Sequence, residues 1–92
     1  MIEITEKNQE RSGFAQALEK VIKYAQKEGD TLSFTLEHAT DEPVEISFVE
    51  ETKYELTQST IIIREYNEDE EGKTYFINYL MRLEDIRYCQ VV

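Results

Sequence analysis

The sequence predicts an α+β domain with the helix first, followed by a five- or six-strand antiparallel sheet, strongly bent or closed into a small barrel. Two observations carry this reading. Apolar residues recur at helical spacing up to Ala25, and after Asp30 the hydrophobic period changes from 3.6 to 2, with turn signals between β-prone runs. A chain of 92 residues has material for one core only, so 1–92 is read as a single domain: an arm over 1–11, a helix over 12–29 and a sheet or barrel over 31–92. An apolar fraction of 40% with ten aromatic residues is enough to build that core, whereas disordered acidic chains lack such residues.

The helix rests on Phe14, Ala17, Leu18, Val21, Ile22 and Ala25, which form one stripe behind Ser12 as the expected N-cap. Gly29 is the expected stop, because it can take the left-handed conformation of a C-cap, and Lys20, Lys23 and Lys27 lie toward the negative end of the helix. Residues 1–11 admit two readings: Ile2 and Ile4 alternate like a short strand, while Thr5 to Arg11 could extend the helix.

Leu32, Phe34, Leu36 and His38 share one face of a first strand, with Thr31, Ser33, Thr35 and Glu37 on the other. After the loop from Ala39 to Pro43, Val44, Ile46 and Phe48 face inward on a second strand, giving a hairpin. Tyr54 and Leu56 mark a short third strand, and Thr60 to Tyr66 is β-prone with apolar residues on both faces, which predicts burial on both. Asn67 to Gly72 reads as a turn, and Lys73 to Met81 returns from it as a second, long hairpin with Tyr75, Ile77 and Tyr79 on one face. Leu83 to Ile86 reads as one helical turn or a bulge, and Arg87 to Val92 as a last strand. The expected core is Phe14, Leu18, Val21, Ile22, Leu32, Phe34, Leu36, Val44, Ile46, Phe48, Ile62, Ile77 and Ile86.

Charge is concentrated rather than spread. Between Glu37 and Glu71 twelve acids stand against Lys53 and Arg64, which accounts for the whole net charge of −10, and the rest of the chain balances. Glu37, Glu45, Glu55 and Glu65 fall on outward strand positions, and Glu68, Asp69, Glu70 and Glu71 crowd the turn of the second hairpin. These eight residues are the candidate protein-binding face, suited to a basic protein surface, and they repel phosphates enough to disfavour direct nucleic-acid binding. Solubility alone is the competing account of the same charges.

Other chemistry is poorly provided for. His38 near Asp41 and Glu42 lacks an accompanying nucleophile or oxyanion element, so a core-edge role is expected, and the lone Cys89 reads as a small buried hydrophobe. One cysteine and one histidine cannot build a zinc site, and the run from Glu68 to Glu71 lacks the alternating ligands of a calcium loop. Five tyrosines of the strand region, Tyr54, Tyr66, Tyr75, Tyr79 and Tyr88, serve as half-buried sheet residues or as an amphipathic binding surface. No catalytic residue, cofactor or metal is predicted. The start, Met1 to Glu6, is acidic from its third residue, and no apolar run reaches the roughly 18–20 residues of a membrane span, so a cytoplasmic protein without membrane contact is expected. Two short apolar edges, Met1 to Ile4 and Arg87 to Val92, predict homo-oligomers.

The helix segment Ala17 to Ile22, the strand Leu32 to Leu36 and the closing Met81 to Tyr88 together resemble Sm-like small barrels, and most of all the YolD-like family of bacterial proteins. The resemblance implies an Sm-like or SH3-like barrel in a bacterial or phage cytosolic protein, associated with DNA-repair polymerases. It transfers no catalytic residues. The chain departs from RNA-binding Sm proteins in having acidic middle strands and no glycine between Gly29 and Gly72.

Overall fold

The structure is a computed structural model that describes residues 6–37 and 42–92, with side chains from residue 13 onward. Helix α1 covers Glu6–Glu28 and is followed by β1 (Thr31–Leu36), β2 (Val44–Ser47), β3 (Lys53–Leu56), β4 (Thr60–Glu68), β5 (Thr74–Arg82), a 3₁₀ turn (Leu83–Asp85) and β6 (Ile86–Val91). All ladders are antiparallel, and the strands hydrogen-bond as two three-stranded sheets in the orders β2-β1-β6 and β3-β4-β5. The class is α+β, as the change of hydrophobic period predicts.

The helix starts at Glu6, six residues before the 12–29 boundary and as the reading that extends it through Thr5 to Arg11 expects, so Ser12 lies inside it and does not cap it. Glu6, Lys7, Gln9, Glu10 and Arg11 are good helix formers, and their propensity outweighs the local preference of Ser12 for a cap. The other end agrees with the sequence. Gly29 has φ of +70°, and the Asp30 N–H donates to the Ala25 carbonyl at 2.8 Å, the six-to-one bond of a Schellman cap. The strand reading of Ile2 and Ile4, and His38 with Asp41, lie outside the described residues.

One apolar cluster joins the helix to both sheets: Leu18, Ile22 and Ala25 meet Leu32, Phe34, Ile46 and Phe48, and Ile61, Ile63 and Met81 from the second sheet. The Gln26 amide donates to the Val49 and Thr52 carbonyls at 3.2 and 2.7 Å, tying α1 to the turn between the sheets. Thr52 is fully buried in that turn, its hydroxyl donating to the Ser47 carbonyl and accepting from the Val49 N–H.

Three core expectations need correction. Residues 60–66 are not buried on both faces: Ile61 and Ile63 point inward, while Ile62 is 40% exposed, because only one face of β4 meets the core. Ile77 shares the inward face of β5 but stands opposite Glu65, where that face has left the apolar cluster, and is 39% exposed. Ser33, expected on the open face of β1, is buried, because β1 is the central strand of its sheet, flanked by β2 and β6.

Candidate interaction surfaces

Glu37, Glu45, Glu55, Glu68, Asp69, Glu70 and Glu71 are exposed. They do not act alike. At the tip of the β4–β5 hairpin the Asp69 carboxylate accepts from the Glu71 and Lys73 N–H groups at 2.9 and 2.8 Å, while the Asp69 N–H donates to the Lys73 carbonyl and the Gly72 N–H to that of Asp69. With Gly72 at φ +79°, this is a three-residue loop of the type I turn and glycine-bulge kind. Asp69 therefore builds the turn. Glu70 and Glu71 are left projecting from it, and Glu68 accepts a hydrogen bond from the Tyr66 hydroxyl at 2.8 Å, which pushes the Tyr66 phenol pKa up.

Glu65 is the exception to the acidic face, because its side chain is 6% exposed. It sits on the inward face with Ile61 and Ile63, two and four positions along the same strand. Its carboxylate accepts from the Ser47 N–H at 2.7 Å, from the Asn67 amide at 3.0 Å and from the Tyr79 hydroxyl at 3.3 Å. Ser47 stands opposite Thr31, and the neighbouring Phe48 N–H donates across to Asp30, so the Ser47 N–H points away from β1 toward the free edge of β2. One carboxylate thus closes an edge of the first sheet from the face of the second. Burial, followed by the nearby Glu65 charge, pushes the Tyr79 phenol pKa up.

Two features escaped the sequence reading. An open depression of about 530 Å³ is lined by Lys23, Gln26, Lys27, Glu50 and Lys53, with Lys23 also 3.6 Å from Glu19. The i, i+4 spacing of Lys23 and Lys27 was the available signal for it. The other is apolar. Of the nine large hydrophobic residues with extensive exposure among the described residues, Tyr75, Phe76, Ile77 and Leu80 lie on β5, and Ile62 stands opposite Leu80. Phe76 contacts the Tyr66 ring edge-on at 5.8 Å, and Arg64 lies 4.0 Å over its face, so the outer face of this sheet carries an ordered aromatic row.

Cys89 faces Phe34 and is half-buried, and burial pushes its thiol pKa up to about 11. Among the described residues no group of three His, Cys, Asp or Glu side chains is placed to hold a metal ion, and no helix is long and apolar enough to cross a membrane. The fold defines an α+β domain of two antiparallel sheets and one helix around a single core. No family model, curated protein or solved structure matches the chain.

Proposed function

We propose that this chain is a non-enzymatic protein-interaction module of the cytoplasm, a regulator or inhibitor that docks on the basic surface of a nucleic-acid-handling protein. The observation that carries the reading is the hairpin tip, where Glu70 and Glu71 project from a turn that Asp69 and Gly72 hold in shape. A preshaped tip presents its charge with little ordering cost on binding. Glu68 adjoins the tip, Glu37, Glu45 and Glu55 are further exposed acids, with Glu37 and Glu55 toward the other end of the β4–β5 hairpin, and Glu65 is no part of the face. A small Sm-like or SH3-like barrel belongs to the same reading only in an open form, since the strands divide between two sheets; the helix-first order and the return of β6 to β1 after a 3₁₀ turn support it.

The test is capture of partners from an extract of the native host with wild type and with a variant carrying Glu45→Lys, Glu55→Lys, Glu68→Lys and Glu70→Lys. Docking predicts basic partners that dissociate as salt rises from 0.1 to 1 M, where the Debye length falls from about 10 to 3 Å, and that the variant does not capture. Recovery of the same partners by both proteins would mean that the acidic face only keeps the domain soluble.

A second reading, an assembly subunit that homo-oligomerises, is favoured by the uncovered edges. β6 ends its sheet with Tyr88, Val91 and Val92 exposed, and β5 ends the other.

A further inference from the structure

Among the described residues the two sheets have four edge strands, and three of them are blunted against strand pairing in the ways that soluble proteins use. β2 is four residues long, follows Pro43, and has its Ser47 N–H occupied by Glu65. β3 is also four residues and turns Lys53 and Glu55 outward. β6 carries Arg87, and its register against β1 shifts at Thr35/Leu36. β5 has none of these devices. It is nine residues long, pairs regularly with β4 throughout, contains no proline, and is uncharged from Thr74 to Met81 in a chain of which a third is charged.

The backbone groups that β5 presents follow from its ladder. Asp69 bonds to Lys73 at the tip, and the Leu83 N–H donates to the Ser59 carbonyl at the far end. Because hydrogen-bonded and non-hydrogen-bonded pairs alternate between these two ends, Phe76, Asn78 and Leu80 direct their N–H and C=O groups away from β4. Asn78 lies midway between Phe76 and Leu80, and both of these flank it on the outer face with exposed apolar side chains.

We propose that two copies of the chain pair through β5, antiparallel about Asn78, so that their β3-β4-β5 sheets become one six-stranded sheet. The proposal rests on the oligomer reading above and is independent of the acidic docking surface. In this register Phe76 faces the partner's Leu80, Ile77 the partner's Tyr79, and Asn78 its own copy, so each apolar side chain of the edge meets another. The self-complementary register selects the second copy, and the charges set its direction. Thr74 stands opposite Glu68 on one side and opposite the partner's Arg82 on the other, so acid and base lie in one outward row about 10 Å apart, with Arg82 also bonded to Asp85 of its own chain. The two Thr74 positions are eight residues apart along the joined strands, roughly 26 Å, so the two acidic tips are separated by well over the Debye length of about 8 Å. A parallel pairing would bring the tips together.

The mass in solution, followed by light scattering over a range of concentrations, tests pairing, and two substitutions test the register. Wild type is expected to move from 10.9 kDa toward twice that mass as concentration rises. Asn78→Lys, at an exposed position, is expected to weaken the dimer at least tenfold by setting two like charges face to face. In a Cys89→Ser background, Asn78→Cys is expected to form a disulfide-linked dimer on oxidation, since paired Cα atoms of this type lie about 5.5 Å apart, within disulfide reach. Thr74→Cys is expected to form none. A monomer at every concentration would overturn both this proposal and the oligomer reading. A dimer that tolerates Asn78→Lys, or that cross-links through Thr74→Cys and not through Asn78→Cys, would leave oligomerisation standing and overturn the β5 register.

Discussion

Glu65 and Cys89 show what single side chains contribute once their surroundings are known. The Glu65 carboxylate satisfies three donors, and its removal leaves the Ser47 N–H, the Asn67 amide and the Tyr79 hydroxyl without it in a partly buried site. Hydrogen bonds to a charged group are worth about 1.5–3 kcal/mol each, though not additively, so Glu65→Ala is expected to cost about 3 kcal/mol in urea unfolding. Glu65→Gln keeps an acceptor and is expected to cost less. Equal stability of Glu65→Ala and wild type would remove the role assigned to this carboxylate. Cys89 gives a pH prediction with a definite sign. Its thiol pKa is raised from 9.0 to about 11 by burial, so the neutral form is favoured in the folded state. The stability that this shift contributes is fully present below pH 9 and is lost as pH rises through 11, where the unfolded chain has already given up its proton. A shift of this size corresponds to at most about 2–3 kcal/mol, and solvent screening of the half-buried thiol makes the effect smaller. Denaturation at pH 8 and 10.5 should show a smaller alkaline loss in Cys89→Ala than in wild type, and alkylation of folded wild type should follow a midpoint near 11.

Among the elements, α1 and its C-terminal cap offer two glycine positions at which the same substitution has opposite signs. Gly13 is exposed inside the helix with nothing near its Cβ direction, so Gly13→Ala is expected to stabilise by about 0.5–1 kcal/mol. Gly29 also has open space, but its φ of +70° is a conformation that alanine occupies at a cost of about 1–2 kcal/mol. Gly29→Ala should therefore destabilise, and thermal melts of the two variants on either side of wild type would check both signs. The β4–β5 hairpin divides in a similar way between residues that shape and residues that project. Asp69→Ala removes two bonds to the Glu71 and Lys73 amides and is expected to cost about 1–2 kcal/mol, whereas Glu70→Lys should stay within about 0.5 kcal/mol of wild type. A loss of stability in Glu70→Lys comparable to that of Asp69→Ala would contradict this division.

At the scale of the whole molecule, the two surfaces ask opposite things of salt. Docking through the acidic tip depends on exposed charges and weakens as salt screens them. Pairing through β5 depends on main-chain hydrogen bonds and apolar contact. Screening reduces the self-repulsion of two chains at −10 each, so the β5 dimer is expected to tighten as salt rises from 0.05 to 0.5 M. Sedimentation at the two salt concentrations would decide, and a dimer that dissociates at high salt would point to an interface made of ion pairs.

The amino-acid sequence by itself determined the class of the fold, the helix C-terminus, the two hairpins and the turn at Gly72, because each follows from a local pattern: a 3.6 or 2 period, or a glycine where φ must be positive. It also located the acidic half. Burial on both faces was the expectation at Ile61, Ile62 and Ile63, with Ile62 in the core, and only Ile61 and Ile63 are buried, because a period of two has no phase when every position is apolar. Glu65 was misplaced for a related reason: an outward assignment is the default for a carboxylate, and its donors come from Ser47 and Tyr79, which are distant in sequence. The exposure of Ile77 depended on where the core ends beneath β5, that of Leu80 on the outer face of the sheet lying away from the core, and the edge position of β5 on the division of the strands between two sheets. Only the tertiary structure decided these, since burial and strand neighbours are relations between segments that no local pattern contains.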